Sequence, residues 1–240
     1  MNYTIIEWNM KIKNIKTKKG LKPLIFVLIA SLHSCSEPSV KIIKLDKVKR
    51  LETVMEDNVK LLDSIHVKIG KQVWCLNNLD VVNYKNGNQI TNIINKEEWK
   101  FTIEGAWCYP ENKITAHNSK LYNFMAVIDS RGIAPEGYHI PSKVEWIELV
   151  DFLKSKNLES IVLEKYFFRE MEGHWRTGGD GGFDKSKNNA VWWSSTDAGS
   201  YAYSFSVNVN VDKYSGSISE YSMPSCGFYV RCIKNSPIKI

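Results

Sequence analysis

The block Gly137-Tyr138-His139-Ile140-Pro141-Ser142-Lys143-Val144-Glu145-Trp146 dictates where a helix begins and which side of it is buried. Ser142 can accept from backbone N–H groups of the following turn, and Glu145, three residues on, can reach back to the Ser142 N–H, which completes a capping box. Beyond the cap, Trp146, Leu149, Val150 and Leu153 recur at the spacing of one apolar helical stripe, with Glu148, Asp151 and Lys154 on the wet side. The pattern predicts a helix over residues 142–154. Ser142 and Glu145 have the chemistry of a nucleophile and an acid, but capping accounts for both.

Elsewhere the period changes. Tyr201, Tyr203, Phe205, Val207, Val209 and Val211 alternate with Ala202, Ser204, Ser206, Asn208, Asn210 and Asp212, which predicts a strand with one buried and one wet face. A turn over Lys213–Ser217 would fold it back into a hairpin through Ile218–Tyr221. Phe228–Ile233 is apolar on nearly both faces, as suits a central strand. Near the other end, Asn58–Leu62, Ile65–Val67 and Gln72–Leu76 read as extended, with turns at Gly70-Lys71 and Asn86-Gly87. Residues 99–128 are aromatic and irregular, Leu158–Phe168 is a second helical piece, and Thr177–Asp184 is a glycine-rich exposed turn. Strands at both ends around a helical middle indicate an α+β class with mainly antiparallel strands, one well-defined capped helix and long loops.

With 240 residues and 43% hydrophobic content, the chain can bury a sizeable core. Five of its six net positive charges lie in residues 1–34, where six lysines face one glutamate. The remainder is nearly neutral and has no basic stripe, so no nucleic-acid partner is expected. Those first 34 residues read as a signal peptide: lysines 11–22, then the apolar run Leu24–Ala30, then Leu32-His33-Ser34-Cys35. The last four resemble a bacterial lipobox. That implies diacylation of Cys35, a lipid anchor in the membrane, and an exported lipoprotein at the outer membrane or cell surface. The rival is a secretory signal cut near Ser34. Residues 35–58, rich in lysine and glutamate, read as a tether. Four cysteines remain, Cys75, Cys108, Cys226 and Cys232. Their even number suits structural disulfides in an oxidising compartment, with three pairings open. Their spacing matches no common zinc module.

The motifs Ile69-Gly70-Lys71-Gln72-Val73-Trp74, Lys120-Leu121-Tyr122-Asn123-Phe124, Arg131 through Pro141, Trp192-Trp193-Ser194-Ser195-Thr196 and Val230-Arg231-Cys232 resemble, in that order, the Fibrobacter succinogenes major paralogous (FISUMP) domain. The resemblance runs over residues 59–234 and leaves 235–240 as a tail. The Gly137–Trp146 block and the Arg-Cys ending are also similar to the sulfatase-modifying-factor family, which implies a C-type-lectin-like fold. Formylglycine-generating members of that wider family use two nearby cysteines with copper. Here the near pair is Cys226 and Cys232, and Cys232 matches a cysteine held in a structural disulfide. The resemblance favours pairing Cys108 with Cys232 and Cys75 with Cys226.

Function is less constrained. No Gly-x-Ser-x-Gly elbow, P-loop or His-Glu-x-x-His occurs, and the five histidines are scattered, so the chain is expected to bind rather than convert. The candidate ligand-binding residues are Trp175, Arg176 and Asp180, placed on the glycine-rich turn, with a glycan or a surface protein as ligand. No cofactor is expected. Calcium held by Asp180, Asp184 and loop carbonyls is the cation alternative, although the sugar-binding lectin trios are missing. The readings are therefore a non-catalytic binding lipoprotein, a protein-interaction or structural surface module, and an oxidase of the sulfatase-modifying type.

Overall fold

The structure is a computed structural model that describes residues 38–115, 119–168, 174–184, 186, 188–210 and 213–236, with side chains from residue 47 onward. Two compact units divide between Thr53 and Val54. The segment expected as a tether holds a helix, α1 (Pro38–Asn58). Its Lys, Leu, Glu and Met residues are good helix formers, and nothing in the run breaks it after Pro38. No helix among the described residues is long and apolar enough to cross a membrane.

After α1 the chain forms β1 (Val59–Leu61), β2 (His66–Ile69), β3 (Gln72–Asn78) and β4 (Thr91–Asn92), then the short helix α2 (Lys96–Phe101). Next come β5 (Ala106–Cys108), β6 (Leu121–Tyr122), α3 (Phe124–Ile128), β7 (Tyr138–His139), α4 (Lys143–Ser155) and α5 (Glu159–Leu163). The last part holds β8 (Trp175–Arg176), β9 (Phe183–Asp184), β10 (Asn189–Ala198), β11 (Tyr201–Asn210), β12 (Lys213–Ser222) and β13 (Arg231–Lys234). The class is α+β, with mainly antiparallel strands.

One sheet has the order β1-β2-β3-β13-β7 and is antiparallel throughout. Gly70, at φ +57°, makes the tight β2–β3 turn, a conformation that glycine adopts without a Cβ penalty. The C-terminal strand is interior to this sheet, between β3 and β7, as its two apolar faces require. Just before it, residues 227–229 bridge to Arg176, Tyr122 and Trp192 in turn, so one extended segment joins three other parts of the fold.

Helix α4 starts as its capping box dictates. The Ser142 side chain accepts from the Glu145 N–H, and the Glu145 carboxylate accepts from the Ser142 N–H at 2.8 Å. Its stripe of Trp146, Leu149, Val150 and Leu153 is buried. Trp146 stacks on Phe205 at 4.2 Å and packs against Trp74 at 4.7 Å, so this ring joins the helix to both the five-stranded sheet and the β10-β11-β12 meander.

The meander departs from simple alternation. Phe205 and Trp192 face the core under α4, while Trp193 and Ala202 face a second core with Phe124 and Phe228. The second core thus covers the face of β11 that holds Ala202 and Ser204, and these residues, expected wet, are buried. Both neighbouring strands bulge opposite Tyr203: Ser194–Thr196 on β10, and Glu220 with Tyr221 on β12. Bulges increase the local twist and re-aim side chains. The hairpin turn also differs from the expected one, because β12 already begins at Lys213. Gly216 is a strand residue whose missing side chain admits the Phe205 ring; a Cβ there would lie 2.8 Å from it.

Candidate functional site

The glycine-rich turn is bound into the body more tightly than an exposed loop. Arg176, on β8, is fully buried. Its Nε donates to the Gly181 carbonyl at 2.9 Å, one terminal nitrogen to Ile93 at 2.6 Å, and the other to Ile94 and Asn95 at 3.1 and 3.0 Å. The guanidinium also lies over the Trp99 ring at 4.4 Å. Its donors therefore clamp the turn to the segment that leads into α2, and it is not available to a ligand. Gly181, at φ +68°, would drive a Cβ into the Lys96 carbonyl at 2.1 Å.

Trp175 is half-buried beside Arg176 and packs against the second core. Asp180 is exposed. It accepts from the Gly182 N–H at 3.0 Å and from the Thr177 hydroxyl, and these bonds hold its carboxyl below the usual range. Asp184 accepts from the Ser186 N–H at 2.7 Å. Each carboxylate closes its own turn, and among the described residues no three His, Cys, Asp or Glu gather as a metal-binding set.

The four body cysteines are free thiols. Cys108, Cys226 and Cys232 are buried and Cys75 is half-buried. Burial pushes all four thiols up, Cys108 to about 11 and Cys232 to about 12. Such thiols are mostly protonated at neutral pH and react slowly, through a small thiolate fraction. The expected pairing of Cys75 with Cys226 and Cys108 with Cys232 does not follow from the fold: β3 lies beside β13, which brings Cys75 next to Cys232. Cys35 lies outside the described residues.

A different surface gathers exposed aromatic and charged groups. Tyr201 and Tyr203 sit on the α4 side of β11 but near the start of that helix. Tyr201 is 42% exposed and Tyr221 72% exposed, with ring centroids 6.0 Å apart, edge to face. The Tyr203 hydroxyl donates to Glu220 Oε2 at 3.0 Å, while Lys143 Nζ lies 3.0 Å from that hydroxyl and over the ring. Tyr221, then Tyr203, hold the Glu220 carboxyl low by hydrogen bonding, and the Tyr203 contact holds Lys143 up. Both side chains are therefore charged at neutral pH. Two exposed phenol rings beside a fixed carboxylate and a fixed ammonium can pack on a ring while the charged groups hydrogen-bond its substituents.

Strict alternation puts Tyr201 and Tyr203 on a buried face and so does not reveal this cluster. The available signal was the small residues Ala202 and Ser204 on the supposed wet face, since small side chains mark close packing.

These features define an α+β domain of mainly antiparallel sheets that carries an aromatic, charged patch at one end of a three-stranded meander. Residues 67–170 match the family model of the Fibrobacter succinogenes major domain, which supports that family for this part of the chain. The matched span runs from β2 past α5, and the tyrosine cluster lies beyond it apart from Lys143. No curated protein and no solved structure matches the chain.

Proposed function

We propose that this chain is an exported, lipid-anchored binding protein whose lectin-like domain holds carbohydrate on the Tyr201–Tyr221–Glu220 surface. The observation that carries the reading is the exposed tyrosine pair beside a carboxylate fixed by Tyr203. Sugar rings present apolar C–H faces that stack on aromatic rings and hydroxyls that donate to carboxylates, so the two chemistries correspond. The leader and Cys35 supply the export and the anchor. On this reading the protein binds without converting, and burial that pushes all four thiols up suits structural rather than catalytic cysteines.

A protein-docking reading draws on another observation: Phe101 and Ile103, close in sequence at the end of α2, are 70% and 84% exposed. The two separate in one screen. The full chain, solubilised in detergent, is applied to an array of neutral and acidic oligosaccharides alongside Tyr221→Ala. Carbohydrate binding predicts retention on some glycans and its loss in the variant. Retention on none would reject the reading.

A further inference from the structure

Cys75 and Cys232 lie on neighbouring strands and on one face of the five-stranded sheet. Strand β13 pairs antiparallel with β3 through Arg231 opposite Asn78 and Ile233 opposite Trp74, which places Cys232 across from the bulged stretch 75–77. Trp74 and Ile233 point into the core under α4, and the alternating side chains Cys75 and Cys232 both pack into the second core. Directly opposed residues of antiparallel strands hold their Cβ atoms about 4.5–5.5 Å apart, close to the span a disulfide needs.

Arg231 adds a second observation. It is 3% exposed, and its guanidinium donates to neutral oxygens: Asn78 Oδ1 at 2.9 and 3.2 Å and the Tyr166 carbonyl at 2.5 Å. The titratable groups acting on this buried cation are Cys75 and Cys232. It favours the thiolate of each, the form that attacks a disulfide, against the larger opposing effect of burial. The other cysteines are placed differently. Bridges from residues 227–229 keep the chain extended between Cys226 and Cys232, which sets them roughly 20 Å apart at about 3.3 Å per residue. Cys108 packs in the opposite core.

We propose that Cys75 and Cys232 close a disulfide across β3 and β13, tying the N-terminal strands of the domain to its last one. Cys75, the more exposed, attacks one sulfur of a small-molecule disulfide such as oxidised glutathione and releases one thiol. Cys232 then attacks the Cys75 sulfur of the mixed disulfide and releases the second thiol. The protein loses two electrons and two protons, and the oxidant is reduced to two thiols.

The test oxidises the full chain with oxidised glutathione, alkylates it in denaturant without reductant, and maps the digest by mass spectrometry. The expected product is one cross-linked peptide pair joining Cys75 to Cys232, with Cys108 and Cys226 alkylated. Alkylation of all four body cysteines, or a link from Cys75 to any cysteine but Cys232, would overturn the assignment. In a Cys108→Ala/Cys226→Ala variant, oxidation should raise Tm by roughly 5–10 °C over the reduced form. That difference should vanish when Cys75→Ala is added; no difference before the addition would also overturn the assignment.

Discussion

Replacing Arg176 with methionine separates a clamp from a ligand-binding residue. The change keeps the length of the side chain and removes donors to four carbonyls. Those of Ile94 and Asn95 are part-buried and can recover water, whereas the bonds to Ile93 and Gly181 are buried. Each stranded buried carbonyl costs about 1–3 kcal/mol, partly offset because a guanidinium no longer has to be desolvated. A net loss of about 2–4 kcal/mol is expected. With a urea dependence of about 2 kcal/mol per molar, the unfolding midpoint should fall by roughly 1–2 M. Arg176→Lys keeps the charge but lacks the planar fork, so its midpoint should lie between the two. Under conditions where Arg176→Met is still folded, it should bind glycan as the parent does. A midpoint within about 0.3 M of the parent, or selective loss of binding in a stable variant, would refute the clamp.

Other consequences are read more quickly. Gly216→Ala should destabilise by about 1–3 kcal/mol in a thermal scan, because its Cβ meets Phe205 at 2.8 Å and Val150 at 3.0 Å. Ser142→Ala should cost about 1 kcal/mol through loss of the cap of α4. Burial pushes the Glu145 carboxyl up, but hydrogen bonds from the Ser142 N–H, His139 and the Ser142 hydroxyl outweigh it and hold the carboxyl below 4.5. A folded value below the unfolded one stabilises above pH 4.5, and that stabilisation is lost as pH falls through the folded value. Glu145→Gln should therefore flatten the acid limb of a stability–pH profile. Cys35→Ser should move the protein from the membrane fraction to the soluble exported fraction on a fractionation blot.

Local signals in the sequence were sufficient where a single interaction decides the structure. The Ser142–Glu145 cap, the Trp146–Leu153 stripe and the Gly70 and Asn86-Gly87 turns all depend on residues a few positions apart. The interior position of β13 was also legible, because Cys232 and Ile233, on opposite faces, are both apolar. What failed was the inference from period to exposure in β11. Alternation says which residues share a face but not what covers that face, and here a second core covers Ala202 while Tyr201, at the end of the strand, is exposed. Arg176 misled for a related reason. An arginine beside glycines in a polar turn suggests recognition, but the carbonyls that fill its fork come from residues 93–95, far away in sequence. Gly216 looks like a turn residue in the sequence because the Phe205 ring that requires it lies on the adjacent strand.

The carbohydrate-binding surface is tested most directly by calorimetric titration of the full chain with an oligosaccharide retained on the array, beside a Tyr201→Ala/Tyr221→Ala variant. Both rings are exposed, so thermal unfolding of the variant should match that of the parent. The account predicts saturable binding to the parent and at least a tenfold weaker affinity in the variant, about 1.4 kcal/mol. Equal affinity in the two proteins would contradict it.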